Sequence, residues 1–126
     1  MNVRITLILV ALVLVAGVTV AVVGRQRAAE RPVRTVELSM REYAFNDENP
    51  TLTFRPGERI HFIVTNDEES NVLHNFRVAG LDVTCGPPMK PGERREMTVT
   101  MPKSGEFAYT CCTHPGMGGK MKIAPK

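Results

Sequence analysis

The sequence has no tryptophan, only three cysteines and three histidines, and little excess of either charge. Its 16 lysines and arginines stand against 13 aspartates and glutamates, without the clustered basic residues that a nucleic-acid surface shows. A C-x-x-C pair is absent, which argues against a thiol-redox protein. With 126 residues, the chain is too short for two full domains once its first segment is set aside.

The N-terminal segment is a long run without charge. Residues 5–23 carry no charged side chain and are flanked by Arg4 and Arg25. The run is longer than the core of a signal peptide, which has about 7–15 residues, and approaches the roughly 20 residues of a spanning helix. We predict that residues 1–24 form a single hydrophobic helix that anchors the protein in a membrane. A cleaved signal sequence is the alternative, and either one exports the remainder.

Residues 25–34 form a polar, charged linker in this prediction, and residues 35–126 form the folded domain. Apolar side chains in the domain recur at every second position, which is the period of a β-strand. Proline and glycine separate these short runs. Seven or eight strands with frequent turns predict an all-β, antiparallel β-sandwich without further helices. The alternating runs are Val36-Leu38-Met40, Leu52-Phe54, Ile60-Phe62-Val64, Phe76-Val78, Met97-Val99-Met101, Phe107-Tyr109-Cys111 and Met121-Ile123.

A cluster of metal-binding side chains lies near the C-terminus. Cys111, His114 and Met117 have the spacing C-x2-H-x2-M within one short loop. Thiolate and thioether suit Cu(I), and imidazole suits both oxidation states of copper. This donor set predicts a copper site, which needs a second histidine from elsewhere in the chain.

Strand parity separates the two adjacent cysteines. Successive side chains of a strand point to opposite faces. Phe107 and Tyr109 are large and should point inward, and Cys111 shares their phase whereas Cys112 does not. Cys111 is therefore the candidate metal thiolate. A small buried thiol without a metal is the alternative interpretation.

Two further choices complete the candidate ligand set. His61 lies on the polar face of its strand and should face solvent, so His74 is the preferred second histidine. Met121 shares the phase of Ile123 and should belong to the core, so Met117 is the preferred thioether.

These residues together resemble those of the cupredoxins. The C-x2-H-P-x-M spacing is most similar to that of amicyanin, and plastocyanin has a longer gap between histidine and methionine. The pair His74-Asn75 also matches, because an asparagine follows the first copper histidine in that family. Further similarities, over roughly residues 33–123, are Pro56-Gly57-Glu58, Asn66 and Gly119-Lys120.

The resemblance implies a Greek-key sandwich with one mononuclear type 1 copper ion. The implied ligands are His74, Cys111, His114 and an axial Met117. The resemblance also implies that Asn75, outside the ligand sphere, joins the two ligand-bearing segments by hydrogen bonds.

The function implied is that of an electron carrier without substrate chemistry, and therefore not an enzyme. Redox proteins would dock transiently at the exposed edge of His114, beside Pro115, Gly116 and Met89. The protein would act outside the cytoplasm, in the periplasm or at the outer face of the cytoplasmic membrane. It would bind neither nucleic acid nor a small-molecule substrate. A copper chaperone or copper-sequestering protein that uses the same ligands is the alternative function.

The remaining cysteines leave three alternatives open. An exported protein can keep disulfides, so Cys85 and Cys112 could pair. They could instead be free thiols, or Cys112 could be a second metal thiolate. A binuclear copper site would need C-x3-C spacing, and adjacent side chains that point apart disfavour it. Amicyanin-like loops have no cysteine at the position of Cys112.

Overall fold

A computed structural model of the chain describes residues 32–125. The predicted helix over residues 1–24 lies outside the described residues, as do residues 25–31 of the predicted linker. Within residues 32–125, no helix has the length and hydrophobicity to cross a membrane. The strands are β1 (Val33–Arg41), β2 (Ala44–Phe45), β3 (Leu52–Phe54), β4 (Arg59–Asn66), β5 (Arg77–Val78), β6 (Arg94–Thr100), β7 (Glu106–Thr110) and β8 (Gly118–Ile123).

The strands form an all-β sandwich of two four-stranded sheets. One sheet has the order β2-β1-β4-β6 and the other has the order β3-β8-β7-β5. Both sheets are mixed, because β1 pairs with β4, and β3 with β8, in parallel. The all-β sandwich is as predicted, but the prediction of antiparallel sheets was wrong for these two strand pairs. Alternation of apolar residues identifies the buried face of a strand, but it carries no information about which way the neighbouring strand runs.

Strand alternation builds the core as the sequence predicts. Ile60, Phe62 and Val64 on β4 are all fully buried, and the residues between them are half-buried. The centre of the core is aromatic, with Tyr109 packed edge-on against Phe45 at 5.2 Å between ring centroids. Phe45 was not predicted as a core residue, because its strand is only two residues long and shows no period.

Asn66 holds the segment that follows β4 in place. Its side chain is fully buried, and its amide donates to the carbonyls of Val72 (2.9 Å) and Met89 (2.8 Å). The backbone of Met89 in turn pairs with that of His74 through two hydrogen bonds. A buried amide that is fully bonded in this way specifies a local arrangement. The predicted ligand His74 therefore lies on a well-fixed segment between β4 and β5.

Candidate metal centre

Three of the four predicted ligands lie together with their donor atoms facing one another. The Nδ1 atoms of His74 and His114 are 3.1 Å apart. The sulfur of Cys111 lies 3.8 Å from Nδ1 of His74 and 3.5 Å from Nδ1 of His114. His74 and Cys111 are buried, and His114 is half-buried.

These separations fit a single metal ion. If three donor atoms each lie about 2.0–2.3 Å from one ion in a trigonal arrangement, the donor atoms are about 3.5–3.7 Å from one another. The observed distances between donor atoms, 3.1–3.8 Å, bracket that value. One thiolate and two neutral imidazoles form the trigonal set that copper electron-transfer sites use. The donor set therefore suits copper.

The loop between β7 and β8 folds back on itself to present its ligands. Cys111 directly follows β7, and its N–H donates to the carbonyl of Met117 at 3.0 Å. The N–H of Met117 donates to the carbonyl of His114 at 3.1 Å. Two backbone hydrogen bonds thus close a tight loop. They bring Cys111 and His114 to the same side, and the side chain of Met117 is buried.

The environment of Cys111 favours the thiolate. Burial raises the pKa of its thiol, but hydrogen bonds from the hydroxyl of Thr113 and the backbone N–H of Asn75 lower it, so that the net pKa is about 6. Hydrogen bonds to the charged form stabilise that form. The sulfur is therefore largely deprotonated at neutral pH, which is the state that binds a metal.

Glu68 orients His74 from the side opposite to the other ligands. Its carboxylate Oε1 lies 2.8 Å from Nε2 of His74 and is nearly buried. This hydrogen bond lowers the pKa of Glu68 although burial opposes it, so the carboxylate is ionised and accepts a proton held on Nε2. A proton on Nε2 leaves the lone pair on Nδ1 free for a metal. Glu68 was not predicted as a site residue, because it lies in a run of acidic residues without a distinguishing pattern.

Asn75 joins the two segments that carry the ligands. Its N–H lies 3.4 Å from the sulfur of Cys111, and its side-chain oxygen accepts the N–H of Cys112 at 2.6 Å. Both contacts are buried or partly buried. This residue therefore connects the neighbour of His74 directly to the metal-binding loop.

Comparison with known proteins identifies the fold. No protein-family profile and no curated protein sequence matches the chain. Among solved structures, auracyanin B superposes with a TM-score of 0.60 at 21% identity, over 76% of this chain and 92% of auracyanin B. A reduced auracyanin from Roseiflexus castenholzii superposes with a TM-score of 0.59 at 22% identity, over 72% of this chain and 97% of that one. The chain has the cupredoxin fold.

The cupredoxin fold is also shared with copper enzymes. The copper nitrite reductase of Nitrosomonas europaea superposes with a TM-score of 0.63 at 22% identity. The alignment covers 75% of this chain but only 42% of that enzyme. The chain therefore corresponds to less than half of the nitrite reductase, whereas it spans nearly all of each auracyanin.

Tyr43 covers the histidines of this cupredoxin-fold domain, although no sequence pattern indicated it. Its ring lies edge-on to that of His114, with centroids 4.9 Å apart, and it is 57% exposed. Tyr43 and Glu42 form the two-residue turn between β1 and β2, with φ of 61° and 50°. Such turns usually contain Asn or Gly, because other residues are strained at positive φ. The N–H of Glu42 donates to Oε1 of Glu68 at 2.8 Å, which ties this turn to the carboxylate that orients His74.

The other residues singled out in the sequence take separate places. His61 bonds to Glu96 and Thr98 on the surface of the sheet, and Met121 is fully buried in β8. Met89 is 3% exposed, so its predicted place in a surface patch was wrong. Its backbone pairs with His74, and that pairing turns its side chain into the core.

A disulfide links Cys85 to Cys112, with 6.1 Å between their Cα atoms. Cys111 is the one cysteine left with a free sulfur. Of the alternatives left open by the sequence, the structure shows the paired form. The next residue after the candidate metal thiolate is thus covalently bound to a remote segment of the cupredoxin-fold domain.

Proposed function

We propose that this protein is a one-electron carrier in which His74, Cys111, His114 and Met117 would hold one type 1 copper ion. The observation that supports the proposal is the convergence of one sulfur and two Nδ1 atoms, all within 4.8 Å, in a cupredoxin fold. Copper bound there would supply a single-electron couple between Cu(II) and Cu(I).

The surroundings of the ligands suit electron transfer better than catalysis on a substrate. His74 is fixed by Glu68, and the Cys111 sulfur is held by Thr113 and Asn75. Donor atoms that are held in place by other side chains rearrange little when the charge at the site changes. Enzymes that act at a metal keep an open ligand position for substrate, whereas two of these three ligands are buried.

A copper titration of the full chain tests this function against copper delivery or sequestration. We expect one equivalent of Cu(II) to give an intense blue thiolate-to-copper absorption, a narrow copper hyperfine splitting and a reversible one-electron couple. A colourless complex that transfers Cu(I) rapidly to a chelator would instead establish the chaperone function. A complex with no reversible couple would also refute the electron carrier.

Substitution of Met117 by leucine tests whether the Met117 thioether would bind the copper ion. Leucine conserves volume, so the fold should persist. Loss of an electron-donating ligand destabilises Cu(II), the more highly charged ion, more than Cu(I), so the reduction potential should rise by roughly 60 mV or more, which is a tenfold change for one electron. The measurement is cyclic voltammetry of copper-loaded protein. Met121→Leu is the matched control in the core and should leave the potential unchanged, and an equal potential in M117L would exclude Met117 as a ligand.

We further propose that redox proteins dock on the His114 face, defined here as Tyr43, Leu73, Pro115 and Gly116 around His114. Tyr43 and Leu73 are among the large apolar side chains exposed in the described part of the chain, at 57% and 42%. The hydroxyl oxygen of Thr113 lies 3.4 Å from the carbonyl oxygen of Leu73, which brings Leu73 beside the loop. Small apolar faces suit transient redox encounters. An N-terminal anchor would confine the protein to the outer face of the membrane and raise its local concentration there.

Substitution of Tyr43 by asparagine tests the His114 face. Asparagine tolerates the left-handed turn, so the hairpin should persist. If the contact made by Tyr43 is worth about 1.4 kcal/mol, its loss would slow electron self-exchange between Cu(I)-loaded and Cu(II)-loaded molecules of the protein roughly tenfold. NMR line broadening measures that rate. Val33→Asn is the control, since Val33 is 44% exposed at the opposite end of β1. Equal rates in Y43N and V33N would exclude the His114 face as the point of contact.

A further inference from the structure

We propose that the Cys85–Cys112 disulfide positions the two ligand-bearing segments of the metal centre, in addition to stabilising the fold. This inference rests on the proposed copper site. The ligands come from two separate parts of the chain: His74 follows β4, and the other ligands lie in the loop after β7. The disulfide connects these two parts by a short route, which consists of the covalent bridge, residues 85–89 and the backbone hydrogen bonds between Met89 and His74.

One end of that route is next to the thiolate ligand. Cys112 follows Cys111 directly, and its N–H donates to the side chain of Asn75. Asn75 itself adjoins His74. A shift of Cys112 therefore moves the Cys111 sulfur and disturbs a hydrogen bond beside the first histidine at the same time.

The other end of the route leads to His74. Only three residues lie between Cys85 and Met89 along the chain, and the backbone of Met89 pairs with that of His74 through hydrogen bonds of 2.7 and 3.2 Å. Two of the intervening residues, Pro87 and Pro88, restrict the backbone. Because these two prolines stiffen the segment, a displacement of Cys85 would also displace Met89 and the backbone of His74.

Arg95 secures the same segment from β6. Its guanidinium donates to the carbonyl of Cys85 at 2.9 Å and to the carbonyl of Pro87. Gly86 lies so close to this guanidinium that a Cβ at that position would be 2.6 Å from it. Cys85 is thus held by the body of the domain, and through the disulfide it restrains the metal-binding loop.

The pairing also preserves the ligand. Three cysteines permit three different disulfides, and two of these would consume the Cys111 sulfur. The pair that forms leaves Cys111 as a free thiol. A bridge between Cys85 and Cys112 therefore keeps both competing thiols away from the thiolate that the copper site needs.

The test compares copper release from the full chain and from the double variant Cys85→Ala/Cys112→Ala. Transfer of Cu(I) to a chelator should be about tenfold faster from the variant, in the range found when supports of metal ligands are lost. The blue colour should persist, because all four proposed ligands remain. Ile123→Ala is the control for lost stability, since Ile123 lies at the end of β8 remote from the loop, where its N–H bonds to Gly105.

The outcomes separate the two proposals. If the bridge serves only the fold, its removal should lower the melting temperature, as Ile123→Ala does, but copper release from the double variant should be no faster than from Ile123→Ala. This result would overturn the inference. Absence of a blue copper complex in the wild type would refute the electron carrier itself. If the double variant does not fold, the wild type reduced by a phosphine and loaded with Cu(I) takes its place. Failure of that form to fold with copper present would show a purely structural bridge and also overturn the inference.

Discussion

Cys111→Ser is expected to abolish the blue copper complex. Serine replaces the one free thiol in the described part of the chain with a hydroxyl that stays protonated at neutral pH, whereas the thiol has a pKa of about 6. Loss of a support for a metal ligand weakens binding by about 10–100-fold, so loss of the ligand itself should exceed about 100-fold. Competition with a chelator measures the affinity, and visible absorption measures the chromophore.

The disulfide variant is the matched control for this substitution. Cys85→Ala/Cys112→Ala removes two sulfurs close to the site but keeps the Cys111 sulfur that faces both histidines. We expect blue colour in this variant and none in C111S. Persistent blue colour in C111S would show that the chromophore arises elsewhere, and it would refute the ligand assignment.

Gly118→Ala is expected to unfold the domain or nearly so. A Cβ at Gly118 would collide with the backbone carbonyl oxygen of Tyr109 and approach the Cα of Thr110 to 2.9 Å. Both are backbone atoms of the paired strand β7, so neither can rotate away. We expect a loss of more than about 4 kcal/mol, which is a large part of the stability of a domain. Urea unfolding of the metal-free protein measures it.

Gly116→Ala separates this collision from the effect of backbone conformation. Gly116 lies in the same loop with φ of 89°, and a Cβ there would meet no atom within 4 Å. Only the left-handed conformation is then unfavourable, at about 1–2 kcal/mol. A loss in G118A no larger than in G116A would mean that strands β7 and β8 move apart to admit the methyl group.

The sequence by itself determined the features that depend on short spacings. The donor types at residues 111, 114 and 117 indicated copper, because thiolate, imidazole and thioether in one loop form a donor set that suits copper. Strand alternation distinguished Cys111 from Cys112, since parity is set by the geometry of one strand. The same alternation predicted the buried face of β4. Each of these inferences needs only neighbouring residues.

The tertiary structure alone decided the features that depend on contacts between remote segments. Glu68 meets His74, Tyr43 covers His114, and Cys85 pairs with Cys112. No local pattern distinguishes Glu68 from its acidic neighbours, and a two-residue turn without Gly or Asn lacks the usual hairpin signal. The parallel pairing of β1 with β4 was likewise invisible. Periodicity specifies which side of a strand is buried, but strand direction and disulfide partners follow from how the whole chain closes around one core.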